Sequence, residues 1–230
     1  MIDFRGYEWV FWEGLKVTLM VGLATIPVAL LLGLVGAWGK LANNRFANLV
    51  AGTYTTVVRG VPELVLILLV YYGGTIILQR AVSCFTGSPA TIDIDPFLTG
   101  TLTLGFIYGA FATEVFRGAY LAVDRGQIEA AQAFGMRPSL ALRRIILPQM
   151  WRFALPGLGN LWLVLIKATS LMSVIQLPEL MRMTDVAARA VRLPFTFYFG
   201  ASLIYLTITI VSILVLKRAE TWANRGIRRA

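Results

Sequence analysis

Six polar side chains stand in otherwise apolar stretches and have chemistry to offer: Glu63, Glu114, Arg117, Lys167, Thr169 and Ser170. Holding a charge inside a bilayer costs about 2.5–3.5 kcal/mol on insertion scales, so such groups mark functional sites. Glu63 follows Pro62 at the head of an apolar run. A carboxylate there can hold a cationic group through a charge-assisted hydrogen bond. It can equally pair with Arg59, four residues earlier. Glu114 and Arg117 are three apart and share a helix face, which predicts an intrahelical ion pair. Lys167 is expected in a structural salt bridge. Thr169 and Ser170 follow it, and Pro178 ends the segment. Hydroxyls beside a broken helix can bind the ammonium or carboxylate of an amino acid, or they can bond a neighbouring helix. Glu63, Thr169 and Ser170 are the candidate substrate-binding residues.

Other chemistries are excluded by composition. The chain has one cysteine, Cys84, and no histidine. Cys/His zinc sites and imidazole-dependent hydrolysis therefore cannot be built. No Gly-rich run carries the lysine of a Walker A loop; Gly73-Gly74-Thr75 lacks both it and the spacing. The net charge of +9 has no basic soluble module to sit on, which argues against nucleic acid.

The elements that must position these residues are membrane helices. Of 230 residues, 57% are hydrophobic and 14% charged, with a mean hydropathy of +0.72. Soluble domains carry about 25% charged residues. A spanning helix needs about 20 apolar residues. Five stretches qualify, over about 14–39, 50–79, 97–120, 149–175 and 194–217, in one all-α integral membrane domain of residues 1–230. Lys40, Arg45, Arg125, Arg137, Arg143, Arg144, Arg152 and the basic tail from Lys217 through Arg228 and Arg229 fall on one side. Arg5, Lys16, Arg80, Arg182, Arg189 and Arg192 fall on the other, among more acids. The positive-inside rule puts the N-terminus outside and the C-terminus in the cytoplasm. Gly22, Gly33, Gly36 and Gly39 permit close helix approach and are expected to pack against a partner chain. Trp9, Trp12, Trp38, Trp151 and Trp222 fall near span ends, as interfacial belts do.

The segment 121–148 is then a cytoplasmic loop. It reads Glu129-Ala130-Ala131, three residues, Gly135, nine residues, Ile145, one residue, Leu147-Pro148. Gly135 can end a first short helix at little steric cost. Ile128, Ala131 and Ala133 offer small apolar contacts. Pro148 is expected to break the second helix and open the next span. A helix pair of this kind suits docking into a groove of another protein.

That spacing resembles the Glu-Ala-Ala signature of bacterial ABC-importer permeases of type I. Arg59-Gly60-Val61-Pro62, Tyr71-Tyr72-Gly73, Thr103-Leu104-Gly105 through Ala110, and Ala154-Leu155-Pro156-Gly157 narrow the likeness to polar amino-acid permeases. Within these the chain is most similar to Q-type subunits of histidine, lysine, arginine and ornithine importers. One departure is Glu63, where those subunits usually carry aspartate. The resemblance implies a bacterial inner-membrane permease without a catalytic or metal site or a cofactor of its own. Glu129, Ala130, Ala131, Gly135, Ile145, Leu147 and Pro148 would couple it to a separate ATPase that holds ATP and Mg. It also implies a second homologous permease, two copies of that ATPase and a periplasmic or extracellular solute-binding protein. Asp93, Asp95, Gln176 and Glu179 are candidates for touching that binding protein, or else lie in solvated turns. Basic amino acids are the expected substrates, with glutamine-type amino acids or opines as alternatives. A membrane scaffold and an ion-coupled carrier are remoter readings.

Overall fold

The computed structural model describes residues 4–86 and 94–225. Asp93, the turn at Gly87, Ser88 and Pro89, and Arg228 and Arg229 lie outside the described residues. Among the described residues, four helices are long and apolar enough to cross a membrane: α1 (Glu8–Leu41), α3 (Glu63–Thr86), α6 (Pro138–Ile175) and α8 (Pro194–Ala223). The fifth expected span is α4 (Pro96–Leu121), equally long but rich in glycine and threonine. Half of its residues are buried. Wrapped by its neighbours, it does not need the apolar surface that lipid demands of the others. Shorter helices complete the chain: α2 (Arg45–Gly60), α5 (Arg125–Ala133) and α7 (Leu180–Val191).

Glycine sets the central packing. A Cβ on Gly33 would lie 2.5 Å from the Ala112 Cβ, and one on Gly105 would lie 2.4 Å from the Val28 Cγ1. On Gly36 it would overlap the Thr113 hydroxyl. α1 and α4 therefore touch almost backbone to backbone, and the pairings 28 with 105 and 33 with 112 make them parallel. The small residues act as they do at other close membrane contacts. Gly22 meets Ile166 and Trp162, and Gly39 meets Ala51. These glycines thus pack against α4, α6 and α2 of the same chain, correcting the expectation of a partner chain. The reason is that the small-residue face of α1 is turned inward onto these helices, while its opposite face, with Leu23, Leu31 and Trp38, stays exposed. α6 is antiparallel to α4, with Gly157 on Val115 and Gly100 on Met172. α8 is antiparallel to α6, since the Trp162 indole donates to the Ser212 hydroxyl at 2.9 Å and Gly159 faces Leu216.

Two expected boundaries differ. The stretch 50–79 is not one helix. Pro62 has no N–H to continue α2 and forces Val61 into an extended conformation, with φ −102° and ψ 138°. α2 stops at Gly60 and α3 starts at Glu63. Conversely, Pro148 breaks nothing. A π-helical turn over Leu142–Ile146 widens the ladder just before it. Such turns absorb an interruption without ending the helix, and α6 continues through it. The last turn of α6, Thr169–Ile175, tightens to a 3₁₀ helix and stops at Gln176 with φ 64°.

Candidate functional site

The break between α2 and α3 places Glu63 beside Tyr108, which lies halfway along α4. The Tyr108 hydroxyl donates to the carboxylate, 3.2 Å from Oε1 and 3.3 Å from Oε2. Both groups line a cavity of about 250 Å³ between α2, α3, α4 and α6, together with Arg59, Phe111, Glu114 and Asn160. The guanidinium of Arg59 lies over the Phe111 ring, 5.3 Å from its centroid. It forms no ion pair with Glu63, so the alternative partner suggested by their spacing is not used. Glu114 takes the expected bond from Arg117 at 3.0 Å and a second ion pair with Lys40. Its charge is therefore matched twice over. Glu63 is the wall carboxylate that meets only a neutral donor. It also sits in the first turn of α3, where the helix dipole favours an anion.

Thr169 and Ser170 do not join this cavity. The buried Thr169 hydroxyl donates to the Ile166 carbonyl at 2.8 Å, and Ser170 donates to the Lys167 carbonyl at 2.7 Å. Local bonds of this kind come easily where a helix tightens into 3₁₀ form. Lys167 is exposed and makes no salt bridge among the described residues. Tyr108 and Asn160 are wall residues that the charge search missed. Asn160 was findable as an amide inside the apolar stretch 149–175; Tyr108 was not, because a tyrosine in an apolar span has no special signature.

Glu179 is fully buried, as a solvated turn residue would not be. It caps α7, accepting from the Met181 and Arg182 N–H groups at 2.8 and 2.7 Å and from the Tyr205 hydroxyl at 3.2 Å. Burial outweighs these donors and pushes its pKa up to about 7. Asp95 caps α4 by accepting from the Phe97 and Leu98 N–H groups.

The 121–148 loop is a helix pair. Asp124 caps α5 by accepting from the Gly126 N–H at 2.6 Å. At the other end the Met136 N–H donates to the Ala131 carbonyl and the Gly135 N–H to that of Gln132, with Gly135 at φ 72°. This is a Schellman end, and it needs the left-handed residue that glycine supplies. Ala131 is buried and Ile128 packs against the main core. These two hold the loop to the bundle and are not free for a partner. Glu129 and Ala130 point outward, as does Phe134, which is 85% exposed. Ile145 is half-buried, while Leu147 and Pro148 are exposed where α6 enters the bundle.

A bundle with a broken helix at mid-depth and an outward helix pair at one end is the membrane part of a transporter. The chain belongs to the family of binding-protein-dependent transport system inner membrane components, whose model matches residues 26–229. It is 47% identical to the histidine/lysine/arginine/ornithine transport system permease protein HisQ of Salmonella typhimurium, over 98% of each chain. It is 40% identical to the octopine transport system permease protein OccQ of Rhizobium radiobacter, over 99% of this chain and 94% of that one. A crystal structure of an amino acid ABC transporter with histidines superposes with a TM-score of 0.82 at 31% identity, covering 96% of this chain and 99% of that one. The protein is therefore a multi-pass inner-membrane permease subunit of a type I ABC importer, and its family works with a solute-binding protein and an ATPase.

Proposed function

We propose that this chain forms, with a second similar permease, the membrane path of an importer of basic amino acids such as arginine, lysine, histidine and ornithine. The observation that carries the substrate class is Glu63. Its carboxylate stands at the α2–α3 break, halfway through the bundle, facing a cavity in which the other acid is already neutralised. A cationic side chain entering there gains a charge-assisted hydrogen bond and displaces no existing ion pair. The permeases for histidine, lysine, arginine and ornithine among its relatives favour the same class.

The energy comes from two copies of a separate ATPase that bind ATP and Mg. Their closure reaches this chain through the 121–148 loop. Glu129, Ala130 and Phe134 form the outward contact, while Ala131 and Ile128 pass the displacement to the bundle. Gly135 fixes the angle between α5 and α6. Residues 145–148 carry the motion into α6, whose wall residue Asn160 lies in the same helix. The loop faces the cytoplasm, so the N-terminus is outside. Thr169 and Ser170 spend their hydroxyl protons on carbonyls of their own helix, so toward a substrate they act as acceptors from an ammonium group.

The test is ATP-dependent uptake by proteoliposomes holding the complex purified through this chain, supplied with its binding protein and labelled arginine, glutamine or glutamate. Arginine uptake that needs ATP and exceeds the other two is the expected result. Glutamine or glutamate winning keeps the importer and removes Glu63 as a cation selector. Absence of flux for all three favours an opine, the substrate class in the name of the octopine relative.

A further inference from the structure

A second cleft, of about 730 Å³, opens at the end of the bundle that carries the 121–148 loop. Leu34 of α1 and Phe116 of α4 form one side, and Leu147 and Trp151 of α6 the other. Arg152, Trp222 and Arg225 also line the cleft, and no carboxylate does so among the described residues. Neither arginine side chain has an ion-pair partner among the described residues. Arg152 is nevertheless half-buried, and a cation withdrawn from water without a counter-charge calls for an anion.

We propose that this cleft binds an anionic phospholipid of the adjoining leaflet, its phosphate between Arg152 and Arg225 and its acyl chains along Leu34, Phe116 and Leu147. The shape fits an amphiphile, with an aliphatic and aromatic body and a doubly basic mouth. Basic pockets between membrane helices at this depth take anionic headgroups. The mouth opens beside α8, whose Leu206, Ile210 and Leu214 are half exposed or more and form a lipid-compatible face. Trp151 and Trp222 are 47% and 68% exposed there, at the level where indoles favour the headgroup boundary. A free phosphate would use the arginines and leave the apolar body unfilled. Because Leu147 and Pro148 belong to the wall, a bound lipid touches the start of α6 where the loop joins the bundle. The site rests on the membrane reading alone and stands whatever amino acid Glu63 selects.

The probe is phosphatidylglycerol or phosphatidylcholine brominated on the acyl chains, mixed at equal mole fraction into vesicles holding the complex. Bromine quenches nearby indole, and the signal is the quenching lost in a Trp151→Phe/Trp222→Phe variant. Phosphatidylglycerol is expected to quench this pair selectively. Arg152→Gln/Arg225→Gln is expected to cut that preference roughly 30-fold in apparent lipid affinity, at the usual worth of two interfacial arginines. Arg225→Gln alone, at an exposed helix end, is expected to lose part of it and covers the case in which the double variant does not assemble. Equal quenching by the two lipids overturns the proposal, and so does a preference that survives both variants. Indoles shielded from both lipids overturn it too, and assign the cleft to a protein partner.

Discussion

Replacing Glu63 with glutamine separates selection of a cation from support of the fold. Glutamine keeps the length and planar shape of glutamate, and its carbonyl can still accept from the Tyr108 hydroxyl that now reaches both carboxylate oxygens. No cation is orphaned, because Arg59 lies over Phe111 and forms no pair with Glu63. The loss is then confined to the bond made with a cationic substrate. A hydrogen bond to a charged group contributes about 1.5–3 kcal/mol, which is roughly 10- to 150-fold. Arginine uptake in proteoliposomes is expected to fall by that factor, while a neutral amino acid changes about twofold or less, as one retained neutral bond allows. Glu114→Gln is the contrasting case. It strips the shared carboxylate from Lys40 and Arg117 and leaves two partly buried cations unmatched, so loss of assembled complex is expected before any change of selectivity. Equal loss for arginine and the neutral substrate in Glu63→Gln would refute the reasoning, as would arginine-selective loss in a well-assembled Glu114→Gln.

Three further outcomes are expected. Gly33→Val pushes a branched side chain into Ala112, where even a Cβ would lie 2.5 Å away; overpacking of about 1–3 kcal/mol should lower the melting temperature of the solubilised complex, whereas Gly52→Ala, with open space at that position, should not. Glu179 keeps its proton up to about pH 7 in the folded protein against 4.5 ordinarily, so the native state binds more protons between those values and stability falls as pH rises through that window, by roughly 3 kcal/mol in all. Glu179→Gln should flatten the melting temperature between pH 5 and 8, and an unchanged slope would remove Glu179 as its source. Glu129→Lys reverses a charge on the outward face of α5 and should reduce the ATPase that purifies with this chain, with uptake falling in step; stoichiometric ATPase would count against the loop as the docking site.

The apolar runs and the scarcity of charge determined the membrane class, because length and hydropathy are local properties of the chain. The motif from Glu129 to Pro148 is local too, and its outline stood in the sequence; the Pro62 break is equally local, yet the apolar run from 50 to 79 read as one span. Gly135 ends α5 as read, since only the residue's own backbone freedom is at issue. Tertiary structure decided what depends on neighbours. Pro148 looked like a helix break, yet a π turn upstream let α6 continue. The α1 glycines showed that something comes close; which helix comes close depended on which neighbours their face of α1 is turned onto. Glu63 and Glu114 looked alike as acids in apolar runs. Lys40, 74 residues from Glu114, neutralises one, and Tyr108, 45 residues from Glu63, merely holds the other. A charge in a bilayer announces itself by its cost, but its function is set by the group opposite, and that group is brought there by the fold.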